Sequence, residues 1–167
     1  AGEFSIFYFW ARRVRRIIPA VTFVMAACLV AGWFIFWPAD YKNLGQSVAA
    51  QSLFVSNIFF WLQSGYFEDS SAVKPLLHTW SLSVEEQFYL FFPLVLLIFG
   101  RCAPKLRFSA LAIAAFLSFM LSIYGSYRHP SATFYLIPTR AWELLAGALL
   151  ATVGSQASSL TNKASEA

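Results

Sequence analysis

The uncharged run from Ile17 to Trp37 is the feature that most limits what this chain can become. About 20 consecutive apolar residues cross the hydrocarbon core of a bilayer as one helix. Three further runs have comparable reach: Thr79 to Phe99, Phe108 to Tyr127 and Phe134 to Val153. Of the 167 residues, 59% are hydrophobic and only 12% charged, with 18 Phe, 7 Tyr and 6 Trp. Soluble domains carry about 25% charged residues. A chain this short has too little interior to hide so much apolar area, so lipid must cover much of it. The pattern predicts an all-α, polytopic transmembrane helical bundle, part of a larger one, with about four spanning helices.

One apolar stretch does not fit a crossing. Val48 to Leu62 is shorter and is interrupted by Gln51, Ser52, Ser56 and Asn57. It is expected as a re-entrant or interfacial segment, because non-helical backbone and polar groups at membrane depth need protein or water around them. Pro19 is expected in the first turn of the first span, where a missing N–H does no harm. Pro93 is expected to kink the second, and Trp33 and Trp37 to mark the far interface. Residues 1–153 read as part of one integral-membrane domain and 154–167 as a polar tail or loop. The chain opens at Ala1-Gly2-Glu3 with no signal-peptide pattern, and is expected as an internal part of a longer polypeptide, whose remainder would be its first partner.

The formal net charge of +4 matters less than its placement. Arg12, Arg13, Arg15 and Arg16 form one cluster, and Arg101, Lys105 and Arg107 another, each beside a long apolar run. Nucleic-acid binding would need such charge spread over a soluble face, so it is excluded as a partner. Basic loops of this kind lie in the cytoplasm. An even number of crossings must then separate the clusters. That puts the first span outward, the second inward, the third outward and the fourth inward, with Asp40, Glu68 and Asp69 outside. Cys28 and Cys102 form no disulfide framework.

Three constellations could carry chemistry. In the first, Arg13 and Arg16 stand i, i+3 and share a helix face beside Arg12. The cluster serves either as an orientation anchor or as a pair of guanidinium forks for the phosphates of a nucleotide-like donor. The second is His78-Thr79-Trp80-Ser81-Leu82-Ser83-Val84-Glu85-Glu86-Gln87-Phe88-Tyr89. His78, Ser81, Glu85 and Tyr89 fall along one face, and carboxylates near a membrane helix face a cavity, a partner or water. Ser83 with Glu86 reads as a capping box. The third pairs Arg140 with Glu143 at i, i+3, either neutralising each other or contacting substrate, and Gly147 beside Ala146 and Ala148 offers a surface for close helix packing. His129 reads as a solvated turn residue. No glycine-rich phosphate loop, zinc-ligand spacing or Gly-x-Ser-x-Gly elbow is present.

In this order and spacing, the three constellations resemble the acyltransferase type 3 family of membrane O-acyltransferases, which includes bacterial O-acetylases of lipopolysaccharide and peptidoglycan. The most specific match is Leu76-Leu77-His78-Thr79-Trp80 through Tyr89, supported by the Arg12–Pro19 block and by Arg140-x-x-Glu143. Ser52 to Asn57, leading to Gly65-Tyr66-Phe67, resembles the subgroup often fused to a soluble esterase-like domain. The resemblance implies transfer of an acyl group, usually acetyl, from cytoplasmic acyl-CoA (acetyl-CoA) to a hydroxyl of a cell-envelope glycan, by a multi-pass protein of the bacterial inner membrane, without a metal. It implies donor-side roles for Arg13 and Arg16 with Arg12. Glu85 matches the family's most persistent acid in this string, with Trp80, Ser81 and Tyr89 around it, and Arg140 and Glu143 match the arginine–acid pair of a later helix; His78 stands among the candidate catalytic residues but does not replace the missing base. The family's usual catalytic histidine is expected upstream of Ala1, so this stretch alone is expected to be inactive.

Two other classes fit the residues alone. Glu85, Arg140 and Glu143 could line the path of a membrane transporter or flippase for a polar substrate, although no internal repeat suggests paired halves. A structural membrane subunit would use the same charges only for packing and orientation.

Overall fold

The structure, a computed structural model, describes residues 6–64, 74–99 and 103–165. The described residues are helical throughout, apart from short connections. The elements are α1 (Ile6–Ile35), α2 (Pro38–Ser52), α3 (Ser56–Gln63), α4 (Trp80–Phe99), α5 (Pro104–Arg128), α6 (Pro130–Tyr135) and α7 (Ile137–Ser165). A 3₁₀ turn, Leu77–Thr79, leads into α4. Among the described residues, four helical stretches are long and apolar enough to cross a membrane: Ile6–Ile35, Leu77–Ile98, Lys105–Arg128 and Pro130–Gly154. The protein is an integral, multi-pass membrane helical bundle, as its apolar runs require. Large apolar side chains such as Phe23, Phe34 and Tyr127 are exposed where lipid would contact them.

Several boundaries differ from the sequence expectation, for local reasons. Helix α1 begins before the arginines, so Pro19 lies inside it and not in its first turn. Hydropathy hides this start, because arginine is a good helix former but a poor apolar residue. The fourth span is split: Leu136 is extended and separates α6 from α7. Pro138 then takes the second position of α7, where its missing N–H costs nothing. At the other end α7 continues through the polar stretch to Ser165, where a loop or tail was expected. The sequence readings at Ala1-Gly2-Glu3, Gly65-Tyr66-Phe67, Glu68, Asp69, Arg101 and Cys102 lie outside the described residues.

The chain divides into two compact units, residues 1–93 and 94–167. In the first, α1 packs on α2 where Gly32 meets Leu44, and a Cβ on Gly32 would lie 2.7 Å from Leu44 Cδ2. The Val48–Leu62 stretch breaks into α2 and α3, and neither is long enough to span. The break is a Schellman turn. Phe54 N–H donates to Gln51 O at 2.9 Å and Val55 N–H to Ala50 O at 2.9 Å. Phe54 occupies the left-handed position, φ 52°, that glycine ordinarily takes. In the second unit, α5 packs along α7, and Gly125 of α5 leaves room for the Thr133 side chain of α6. Gly147, by contrast, has nothing within 4 Å of an added Cβ among the described residues, so none of them makes the expected close packing there.

Candidate functional site

Arginines at 12, 13 and 16 and the aromatic at 9 recur with helical spacing, so the first half of α1 presents them together. On α4, Leu82, Glu85 and Tyr89 do the same. The two faces enclose a cavity of about 650 Å³ lined by Phe9, Arg12, Arg13, Arg16, Ile17, Leu82, Glu85 and Tyr89. Two constellations separated by about seventy residues of sequence thus become one site. Three guanidinium groups against the Glu85 carboxylate leave its lining net positive.

Arg13 is held by aromatic rings. Its guanidinium carbon lies 3.2 Å from the Tyr89 ring centroid and 5.0 Å from that of Phe9. Phe9 and Tyr89 meet edge to face at 6.4 Å, and Trp10 Nε1 donates to Tyr89 O at 3.1 Å. Such stacking fixes the planar fork while leaving its edge for an anion. Arg12 lies over Tyr8 at 4.6 Å.

The other predicted site residues are placed differently. His78 is exposed in the 3₁₀ turn, and its carbonyl accepts a 3.2 Å hydrogen bond from Ser81 Oγ; neither residue lines the cavity. Arg140 and Glu143 form an ion pair at 3.0 Å in the first turns of α7, in the second unit, with Arg140 also 5.6 Å from the Phe134 ring. The capping box of Ser83 and Glu86 does not form. The 3₁₀ turn moves the start of α4 to Trp80, and Ser83 instead hydrogen-bonds other side chains. Among the described residues Glu86 Oε1 is buried without a hydrogen-bond partner, within electrostatic reach of Arg13.

Sequence reasoning missed a second polar cluster. Gln51, Ser56, Asn57 and Ser83 are almost completely buried. Ser56 Oγ donates to Gln51 Oε1 at 2.7 Å, Ser83 Oγ reaches the same oxygen at 3.1 Å, and the two hydroxyls are 2.8 Å apart. Gln87 Nε2 donates to Phe54 O at 2.6 Å and to Asn57 Oδ1 at 3.0 Å. The available signal was the polar interruption of the Val48–Leu62 stretch, which told of burial but not of its partners on α4.

Residues 2–164 match the family model described as an acyltransferase domain. The chain belongs to this acyltransferase type 3 family. It is 39% identical over 150 residues to the peptidoglycan O-acetyltransferase OatA of Listeria monocytogenes, covering 87% of this chain and 24% of that protein. It is 33% identical over 154 residues to the O-acetyltransferase OatA of Staphylococcus aureus, covering 90% of this chain and 25% of that one. An uncharacterised Haemophilus influenzae protein is 35% identical over 159 residues, covering 90% and 64% respectively. The chain therefore spans about a quarter to two thirds of the length of these relatives. No solved structure matches it.

Proposed function

We propose that the chain is part of a bacterial inner-membrane O-acyltransferase. It moves an acyl group, by preference acetyl, from cytoplasmic acyl-CoA to a hydroxyl of a cell-envelope glycan. Membership of the acyltransferase family and the acceptor printed in the names of the Listeria relative support the reaction class. The observation that carries the site is the arginine-lined cavity closed by Glu85 and Tyr89. Arg12, Arg13 and Arg16 offer charge-assisted donors to the phosphates of the CoA moiety. In the reaction the glycan oxygen bonds to the thioester carbonyl carbon, the carbon–sulfur bond breaks, and the hydroxyl proton ends on the released thiol. A base poised near neutral pH must carry that proton. On this reading the Glu85 carboxylate, which lines the cavity, orients the base or the hydroxyl.

The experiment uses the full-length protein in membranes with labelled acetyl-CoA and a glycan acceptor. Each charge-assisted hydrogen bond is worth about 1.5–3 kcal/mol. Arg13→Ala and Arg16→Ala should therefore each raise the KM for acetyl-CoA about tenfold or more, and Glu85→Ala should lower kcat. Normal transfer by all three variants would refute the site.

A further inference from the structure

Helix α4 carries two polar faces. Leu82, Glu85 and Tyr89 line the arginine cavity. Ser83 and Gln87 point into the buried cluster with Gln51, Phe54 O, Ser56 and Asn57. At 3.6 residues per turn these faces lie about 150° apart around the helix axis. A rotation that breaks one therefore displaces the other.

We propose that Gln87 is a positioning residue: by clamping the α2–α3 break it fixes the rotation of α4 and so aims Glu85 and Tyr89 into the cavity. Its amide spends both protons on the break, one on the carbonyl of Phe54 at 2.6 Å and one on Asn57 Oδ1 at 3.0 Å. The Phe54 carbonyl belongs to a residue in the left-handed region, a conformation that persists only where surrounding contacts over-determine it. The second contact row, Ser83 with Ser56 and Gln51, lies one helical turn earlier on the same face. Two rows one turn apart resist rotation as well as sliding. Gln51 and Ser56 are fully buried, and among the described residues Gln51 Nε2 has no hydrogen-bond partner. In a buried network of this kind the hydrogen bonds strengthen one another, and leaving a member unpaired is costly.

The kinetic arm of the test rests on the acyl-transfer reading; the labelling arm does not. In the full-length enzyme, Gln87→Leu should lower kcat at least tenfold, with a rise in the KM for acetyl-CoA no larger than that of Tyr89→Leu, because α4 carries the ring that stacks on Arg13 while the arginines themselves are untouched. Combined with Glu85→Ala it should lower kcat no further, since Gln87 acts on that step through the aim of the Glu85 side chain. Multiplying losses in the double variant, or a KM effect without a kcat effect, would overturn the proposal. The labelling arm follows the thiol introduced by Glu85→Cys. In the otherwise native protein it should react faster with an anionic methanethiosulfonate than with a cationic one of the same size, drawn by the arginines. Adding Gln87→Leu, or Asn57→Ala should the first variant not fold, should slow that reaction at least fivefold. An unchanged labelling rate sinks the positioning role. Absence of acetyl transfer by the wild type, with labelling slowed as expected, sinks only the acyl-transfer reading.

Discussion

Arg13 shows how one side chain can be committed twice. Its guanidinium face is stacked on Tyr89 at 3.2 Å, and its edge borders the cavity. Lysine would keep the charge but lose both the planar fork and the stacking. Arg13→Lys should therefore raise the KM for acetyl-CoA nearly as much as Arg13→Ala does, by about tenfold, measured in membranes of the full-length protein. Tyr89 contributes its ring. Tyr89→Phe should stay within about twofold of wild type in the same assay. Tyr89→Leu, which removes a cation–π contact worth about 0.5–2 kcal/mol, should weaken donor use by twofold to thirtyfold. If Tyr89→Phe behaves like Tyr89→Leu, the hydroxyl matters and the stacking account is wrong. At this scale the sequence was informative about residue types and poor about partners. The spacing of Arg13 and Arg16 announced a shared face, and the structure puts both in the cavity with Glu85. It could not show that Ser83 binds Gln51 and not a backbone N–H, because a Ser-x-x-Glu pattern looks the same whether or not a helix starts there.

Among the elements, the helix ends were the least legible and the helix interiors the most. The apolar runs locate α1, α4 and α5 within a turn or so, except where charge masks helix, as at Ile6 to Arg16. The turn that follows the split of the fourth span is held by a tertiary contact that hydropathy cannot register. Ser118 Oγ of α5 donates to Pro138 O at 2.7 Å and accepts from Trp142 N–H at 3.0 Å. These are the two groups that an ordinary i→i−4 bond would join, so the hydroxyl bridges the first turn of α7 around Arg140. Ser118→Ala should cost about 1 kcal/mol, read as a lower melting temperature of the detergent-purified protein. Gly125→Val should cost more, about 1–3 kcal/mol, because its side chain would collide with Thr133, itself hydrogen-bonded to His129 O at 2.9 Å. Gly147→Ala is the control, since a Cβ there meets open space. Its melting temperature should match wild type or rise slightly, given the helix propensity of alanine. Destabilisation at Gly147 equal to that at Gly125 would contradict the packing described for α5, α6 and α7.

On the scale of the whole molecule, the depth of the arginine cluster decides how a cytoplasmic donor could reach the membrane interior. Helix α1 has 30 residues, about 45 Å at 1.5 Å per residue, against a hydrocarbon core of about 30 Å. Its apolar part after Arg16 alone nearly fills that core, which would leave the arginines at the boundary. Yet Arg13 packs on Tyr89, halfway along α4, which would draw them to mid-depth. Charged side chains at such depth survive by facing water and by thinning the bilayer locally. The net-positive cavity supplies the water-accessible volume. On the proposed topology the basic cluster would be both an orientation signal and the floor of an aqueous inlet from the cytoplasm. Lys42, in α2 beyond the far end of α1, should lie on the opposite side. Thiols introduced by Arg16→Cys and Lys42→Cys in the full-length protein test this with a membrane-impermeant reagent on sealed vesicles of both orientations. Arg16→Cys should react only where the cytoplasmic face is exposed, and Lys42→Cys only where the outer face is. Labelling of both from one side would mean that α1 does not cross, and the donor route would have to be redrawn.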